Sequence, residues 1–191
     1  MLNFSALLKR NIDEMNTSHL VITALTPSSI DAPNKITGLI AESGCNIITN
    51  RMVVMGQECM ISVQVVGNWS SIAKLEHGLP NLEKKHGFSI ISRRTEPKKF
   101  DSPVLLYTIQ VVGIDKPEIA QQIYSFFVTE RVHVQEAYGD SYLANQTGTR
   151  MLTLTMIIAI PGDIPIFELR ERFLVLCDQL NLDAIMEPHK G

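Results

Sequence analysis

Apolar residues are spaced along this chain in a pattern that occurs twice. Residues 20–25 and 105–112 are β-rich apolar runs, each followed by turn-forming residues and then by apolar positions at helical spacing. Placing Ile22 on Ile109 requires an offset of 87 residues, and the same offset carries Asn46 onto His133 and Ile47 onto Val134 without a gap. Further on, Gly67 and Gly162 stand at equivalent strand ends with an offset of 95. The second copy therefore holds about eight extra residues, which fit in the polar stretch 139–149.

The second copy predicts a central strand over 104–112, where the run is almost continuously apolar. A helix over 117–130 follows, with Ile119, Ile123, Phe126 and Phe127 on one face and Pro117 at a first-turn position. Strands are predicted at 132–138 and 151–160, the latter turning Leu152, Leu154, Met156, Ile158 and Ile160 to one side. A helix over 165–180 and a short strand at 182–186 close the copy. The first copy predicts strand 20–26, helix 33–43, strand 46–54, a tight turn at 55–57 and strand 58–66, with Cys59, Ile61, Val63 and Val65 on one face. Its second helix spans 69–86 and a strand at 88–93 ends it. Gly78 and Pro80 fall inside that helix and predict a kink or split near Leu79.

Both copies read β-α-β-β-α-β, the order of a ferredoxin-like unit: an α+β fold with one antiparallel sheet and both helices on one face. The polar, two-proline segment 95–103 has the composition of an exposed connection. The expected domains are a lead segment 1–18, a first unit 19–94, this linker, and a second unit 104–191. In the lead segment Leu7, Leu8, Ile12 and Met15 have the spacing of a short amphipathic helix. The sheet face opposite the helices, and the edge strands, are left for a partner, with a homo-oligomer among the candidates.

Composition narrows the function. Hydrophobic residues make up 45% and charged residues 19% of the 191, an ordinary globular balance that allows buried cores. The net charge of −3 gives no general attraction for nucleic acid. The locally basic segment 83–99, with Lys84, Lys85, Arg93, Arg94, Lys98 and Lys99, has no helix-turn-helix pattern and no row of stacking aromatics, so it reads as a solvated face. No direct nucleic-acid contact is expected. No apolar run approaches the roughly 18 residues of a membrane span, and the first residues lack the basic-then-apolar order of a secretory signal. No membrane partner and a cytoplasmic location are expected. Cys45, Cys59 and Cys177 are odd in number and form no C-x-x-C, and the five histidines lack ligand spacing, so disulfides, metals and cofactors are not expected. No phosphate loop, nucleophile elbow or zinc-protease helix occurs, and the chain is not expected to be an enzyme.

Four short motifs sit in register on the repeat. Val112-Gly113-Ile114-Asp115-Lys116-Pro117-Glu118-Ile119 follows the first strand of the second copy, and Gly44-Cys45-Asn46-Ile47 opens the second strand of the first. Together with Leu20-Val21-Ile22-Thr23-Ala24-Leu25 and Gly67-Asn68-Trp69-Ser70-Ser71-Ile72, they resemble the ACT domain family, small amino-acid-sensing modules of this topology whose first turn reads G-x-D-x-P-G. The resemblance covers roughly residues 19–187. In that turn Gly113 lets the backbone approach a ligand closely, Asp115 is placed as an N-cap, and the free N–H groups after Pro117 suit a carboxylate. Asp115 can instead draw a ligand's ammonium.

The resemblance implies ligand contacts at Gly113, Ile114, Asp115 and Pro117. It places His133, counterpart of the asparagine that follows the helix in ligand-binding members, close by in the fold. The first copy has Thr26, Ser28, Ser29, Ile30 and Asp31 where the second has Gly113, Asp115, Lys116, Pro117 and Glu118, so the family's Gly, Asp and Pro are missing. Ser28, Ser29 or Asp31 can still cap a helix and Asn46 is retained, which makes Thr26, Ser28 and Asn46 candidates for a reshaped pocket. The function implied is a transcriptional regulator that does not bind DNA. It would repress by contact with a DNA-bound transcription activator protein, modulated by glycine or another small amino acid. The alternative is an amino-acid-sensing regulatory subunit of a metabolic enzyme.

Overall fold

The computed structural model describes residues 17–97 and 103–190. The helix expected in segment 1–18, and Lys98 and Lys99 of the basic segment, lie outside the described residues. The chain divides into two compact units, Met1–Lys98 and Lys99–Gly191.

Unit one runs β1 (Thr17–Pro27), α1 (Ala32–Glu42), β2 (Asn46–Met55), β3 (Glu58–Asn68), α2 (Trp69–His86) and β4 (Ser89–Thr95). Unit two repeats the order as β5 (Val104–Ile114), α3 (Ile119–Thr129), β6 (His133–Leu143), β7 (Arg150–Pro161), α4 (Ile166–Leu180) and β8 (Leu182–Pro188). Each unit is one four-stranded sheet, ordered β2-β3-β1-β4 and β6-β7-β5-β8, with every neighbouring pair antiparallel. These are tandem ferredoxin-type units of the α+β class, as the repeat predicts.

The period-two apolar positions face the helices. In unit one Leu20, Ile22 and Ala24 of β1 and Cys59, Ile61, Val63 and Val65 of β3 are buried against Ile36 and Ile40 of α1 and Ile72, Leu75 and Leu79 of α2. In unit two Ile109, Met156, Ile158 and Ile160 meet Ile123 and Phe127 of α3 and Leu169 and Phe173 of α4. Phe126, Phe127 and Phe173 touch, with ring centroids 5.3 to 5.6 Å apart. All three cysteines are free and buried.

Four local expectations are corrected. First, α2 is continuous through Gly78 and Pro80. Leu75, Leu79 and Leu82 anchor it to the core on both sides of the proline, and that packing outweighs the single hydrogen bond Pro80 cannot donate. Gly78 serves the helix pair instead, because a Cβ there would stand 2.7 Å from Leu39 of α1. Second, Pro117 precedes α3 rather than opening it: Ile119 N–H donates to the Lys116 carbonyl, so Pro117 takes the second place of a β-turn. Third, β6 continues to Leu143 instead of stopping near Tyr138. Much of the polar insertion is thus strand, and only 144–149 turn, tied by Ala144 N–H to Thr149 O and Gly148 N–H to Ala144 O. The fourth concerns Asp115.

Candidate functional site

Asp115 is not an N-cap. The residue at that position of α3 is Glu118, which makes no side-chain cap bond, because the Lys116–Ile119 turn moves the helix start downstream. Asp115 is engaged across the sheet end instead. Its N–H donates to the Arg150 carbonyl at 2.9 Å, and its Oδ2 accepts from Ser141 Oγ at 2.6 Å. The turn carrying Ile114, Asp115 and Pro117 is thereby tied to the β6–β7 hairpin. Ser141 and Arg150 carry no motif signal, since the sequence shows only that Ser141 lies in the polar stretch 139–149 and Arg150 just beyond it, and not that β6 and β7 extend that far.

Packing accounts for a glycine at position 113. A Cβ on it would meet Leu182 Cδ2 at 2.4 Å and the Asn181 carbonyl at 3.3 Å. The space beside its Cα is filled by the start of β8, which by itself accounts for a glycine at this position. Ile114, next in the strand, is exposed.

His133 does not lie close to this turn. β5 and β6 are parallel to each other with β7 between them, and α3 returns the chain to the end where β5 began. His133 is opposed by Ala159, which opposes Leu106, whereas Ile114 is opposed by Met151. Eight strand residues, about 26 Å at roughly 3.3 Å each, separate the two levels. The separation is a consequence of the β-α-β path, so unit one shows it too. Asn46 opposes Val66, which opposes His19, while Thr26 opposes Cys59, seven residues along β1 and about 23 Å away at the same rise.

Around the first turn of unit one, Thr26 is buried at the end of β1. The Ser28 N–H donates to the Gln57 carbonyl at 2.8 Å. Asp31 occupies the N-cap position of α1 without a side-chain cap bond, Pro33 stands within the first two helical residues, and Lys35 Nζ lies 3.9 Å from Asp31 Oδ2. The structure therefore brings together Gly113, Ile114, Asp115 and Pro117 at one sheet end and Thr26 with Ser28 at the corresponding end of unit one. His133 and Asn46 lie at the opposite ends.

Two other features were not read from the motifs. A cavity of 360 Å³ between α1 and α2 is lined by Asn34, Lys35, Leu39, Asn81 and Lys85 among others, with Gly38 and Gly78 in its walls. The edge strand β2 is exposed along all ten residues, apolar ones such as Ile47, Met52 and Met55 included. Among the described residues no group of three or more His, Cys, Asp or Glu could hold a metal ion, and no helix is long and apolar enough to cross a membrane.

Known proteins share this arrangement. Residues 18–91 match the family model of the ACT domain. Over 163 residues, covering 85% of this chain and 86% of the relative, the sequence is 24% identical to the glycine cleavage system transcriptional repressor of Escherichia coli K12. The same figures hold for the repressor of Shigella flexneri. The fold recurs in the crystal structure of a candidate glycine cleavage system transcriptional repressor, with TM-score 0.68 and 23% identity over 92% of this chain and 99% of that one. It recurs also in an unknown protein from Galdieria sulphuraria, with TM-score 0.70 and 17% identity over 91% and 99% of the two chains. The family match falls on unit one, whose first turn lacks the Gly, Asp and Pro of the motif, so the match rests on the rest of that unit. The similarity to repressors supports a regulatory role. Residues 18–91 match the ACT domain, and the chain is a tandem of two ACT-like units similar over most of its length to the glycine cleavage system transcriptional repressors.

Proposed function

We propose that this chain represses transcription of the glycine cleavage system by contacting a DNA-bound activator protein, and that glycine or another small amino acid biases the contact. The observation that carries this reading is the similarity to the Escherichia coli repressor, because it spans 85% of this chain and so involves both units, not one shared module. The role is regulatory rather than catalytic. Among the described residues β2 is an edge strand whose one strand neighbour is β3, and its exposed apolar side chains offer a protein partner burial.

For the amino acid, the proposed turn is Ile114, Asp115 and Pro117 with Ser141 beside it. Asp115 supplies a carboxylate for the ligand's ammonium, and the uncapped start of α3 supplies N–H groups for its carboxylate. Thr26 and Ser28 form the counterpart in unit one. The test is transcription from a glycine cleavage promoter with purified activator. Adding the protein is expected to lower activator-dependent transcript, to leave the mobility of promoter DNA alone unchanged, and to respond to glycine at millimolar concentration. No effect on transcript would overturn the reading. Retardation of promoter DNA by the protein alone would replace activator contact with operator binding.

A further inference from the structure

The two helices of unit one hold between them a cavity that their own packing leaves open. Lys74 Nζ of α2 donates to the Glu42 carbonyl at the end of α1, and Leu39 of α1 stands over Gly78 of α2. The helices are therefore antiparallel, and the first turn of α1 faces the last turns of α2. The 360 Å³ they enclose is of the size that small-molecule sites have. Unit two closes the corresponding place, because Phe126 of α3 packs on Phe173 of α4 and Arg172 of α4 donates two hydrogen bonds to Glu130.

Gly38 sits inside α1 and lines this cavity. Glycine within a helix is less favourable than alanine, so its presence calls for a reason. Gly78 has one in the chain itself, since a Cβ there would strike Leu39, whereas among the described residues a Cβ on Gly38 would meet nothing within 4 Å. No internal packing requires a glycine at 38. A larger side chain at that position would take up the space of the cavity.

One end of the cavity is polar and positive. Lys35, Lys85 and His86 line it with the amides of Asn34 and Asn81, and Leu39 and Leu82 give it an apolar floor. Among the described residues the side chains of Asn34, Asn81, Lys85 and His86 make no hydrogen bond or ion pair with the chain. Against Lys35, Lys84 and Lys85 stand two carboxylates: Asp31, 3.9 Å from Lys35, and Glu83, whose Oε1 accepts from the Ile90 N–H of β4 at 2.8 Å. Glu42 lies at the far end, seven residues from Lys35 along α1 and so about 10 Å away at 1.5 Å per residue.

We propose that this cavity binds a small organic molecule through its phosphate group. Lys35 from one helix and Lys85 from the other supply the two positive charges that suit a phosphate, which carries nearly two negative ones at neutral pH. Asn34, Asn81 and His86 supply hydrogen-bond donors, and the body of the ligand lies over Leu39 and Leu82 against the bare backbone of Gly38. The proposal goes beyond the repressor reading and uses none of the residues assigned to the amino acid.

The experiment follows assigned amide resonances of the isotope-labelled full chain during titration with inorganic phosphate, glycerol phosphate, glycerol and glycine at constant ionic strength. Glycerol phosphate is expected to shift the Asn34 and Asn81 side-chain amides and the Gly38 and Gly78 backbone amides saturably, at least tenfold more tightly than glycerol. Inorganic phosphate competes at the same resonances, and glycine leaves them unmoved. Joint replacement Lys35→Gln and Lys85→Gln weakens binding tenfold or more. Gly38→Leu abolishes it, and circular dichroism melting establishes that each variant is folded. Gly38→Ala melts no lower than the native chain, because the fold itself does not need this glycine. Glycerol binding as well as glycerol phosphate overturns the proposal, as do shifts of these resonances with glycine, or affinity unchanged by Gly38→Leu or by loss of both lysines. A lower melting temperature of Gly38→Ala overturns it too, since the glycine would then serve the fold.

Discussion

Replacing Gly113 by alanine tests whether that position is reserved for the chain's own packing. The added Cβ would lie 2.4 Å from Leu182 Cδ2 and 3.5 Å from Leu182 Cα. Carbon atoms in contact prefer about 3.5 to 4.0 Å, so the overlap with the leucine methyl exceeds about 1 Å. Leu182 is only 5% exposed and its side chain cannot swing to water. Its backbone is also held, because Asn181 before it caps α4 in the left-handed conformation with φ 55°. Overpacking of this kind costs about 1 to 3 kcal/mol. Leu182→Ala removes the obstructing methyls and by itself costs about 2 to 4 kcal/mol as a cavity. In the double variant the 2.4 Å overlap with the leucine methyl is gone and the Asn181 carbonyl at 3.3 Å is the tightest contact left, so the two costs should fall short of their sum by about 1 kcal/mol or more. Urea unfolding of the full chain reads this directly: all four tyrosines, Tyr107, Tyr124, Tyr138 and Tyr142, lie in unit two, and the single tryptophan, Trp69, lies in unit one. The tyrosine transition should move. Costs that add within about 0.5 kcal/mol would refute the packing argument and return Gly113 to a role in ligand approach.

Two further predictions concern the helices. Pro80→Ala restores an N–H donor inside α2 and removes the ring's clash with the Glu76 carbonyl, so unit one should gain about 1 to 3 kcal/mol in the Trp69 transition; a loss would show that Pro80 makes contacts worth more than the bond it lacks. Burial, helped by the neighbouring Asp178 charge, pushes the Cys177 thiol from its ordinary value of 9.0 up to about 11. A pKa raised in the folded state means the unfolded chain ionises first, so this group's contribution is intact below pH 9.0 and is lost as pH rises to about 11. The tyrosine-detected urea midpoint should therefore fall more steeply across that window in the native protein than in Cys177→Ala, and parallel slopes would contradict the assignment.

Much of the architecture was legible from local pattern. The offset between Ile22 and Ile109, the alternation from Leu152 to Ile160 and the helical spacing of Ile119, Ile123 and Phe127 each specify an element and the face it buries, because burial repeats every two or 3.6 residues whatever lies elsewhere in the chain. The candidate site was legible only as a set of residue types. Gly113, Asp115 and Pro117 suggested a ligand turn with an N-cap, yet each takes its role from a distant partner: Gly113 from Leu182, Asp115 from Ser141 and Arg150, and Pro117 from a turn that delays the helix. His133 and Asn46 belonged to the same motif reading but open strands whose direction the preceding helix has reset, which sends them to the far ends of their sheets.

By itself, then, the sequence determined the two β-α-β-β-α-β units, their buried faces and the absence of a net charge that would draw nucleic acid. Only the tertiary structure decided which ends of the strands meet, that Gly78 and Pro80 stay within one helix, and that Asp115 bonds to Ser141 and Arg150. The physical reason is range: periodicity and propensity act over a few neighbouring residues, whereas register and close approach join residues far apart in the chain and exist only once strands have paired.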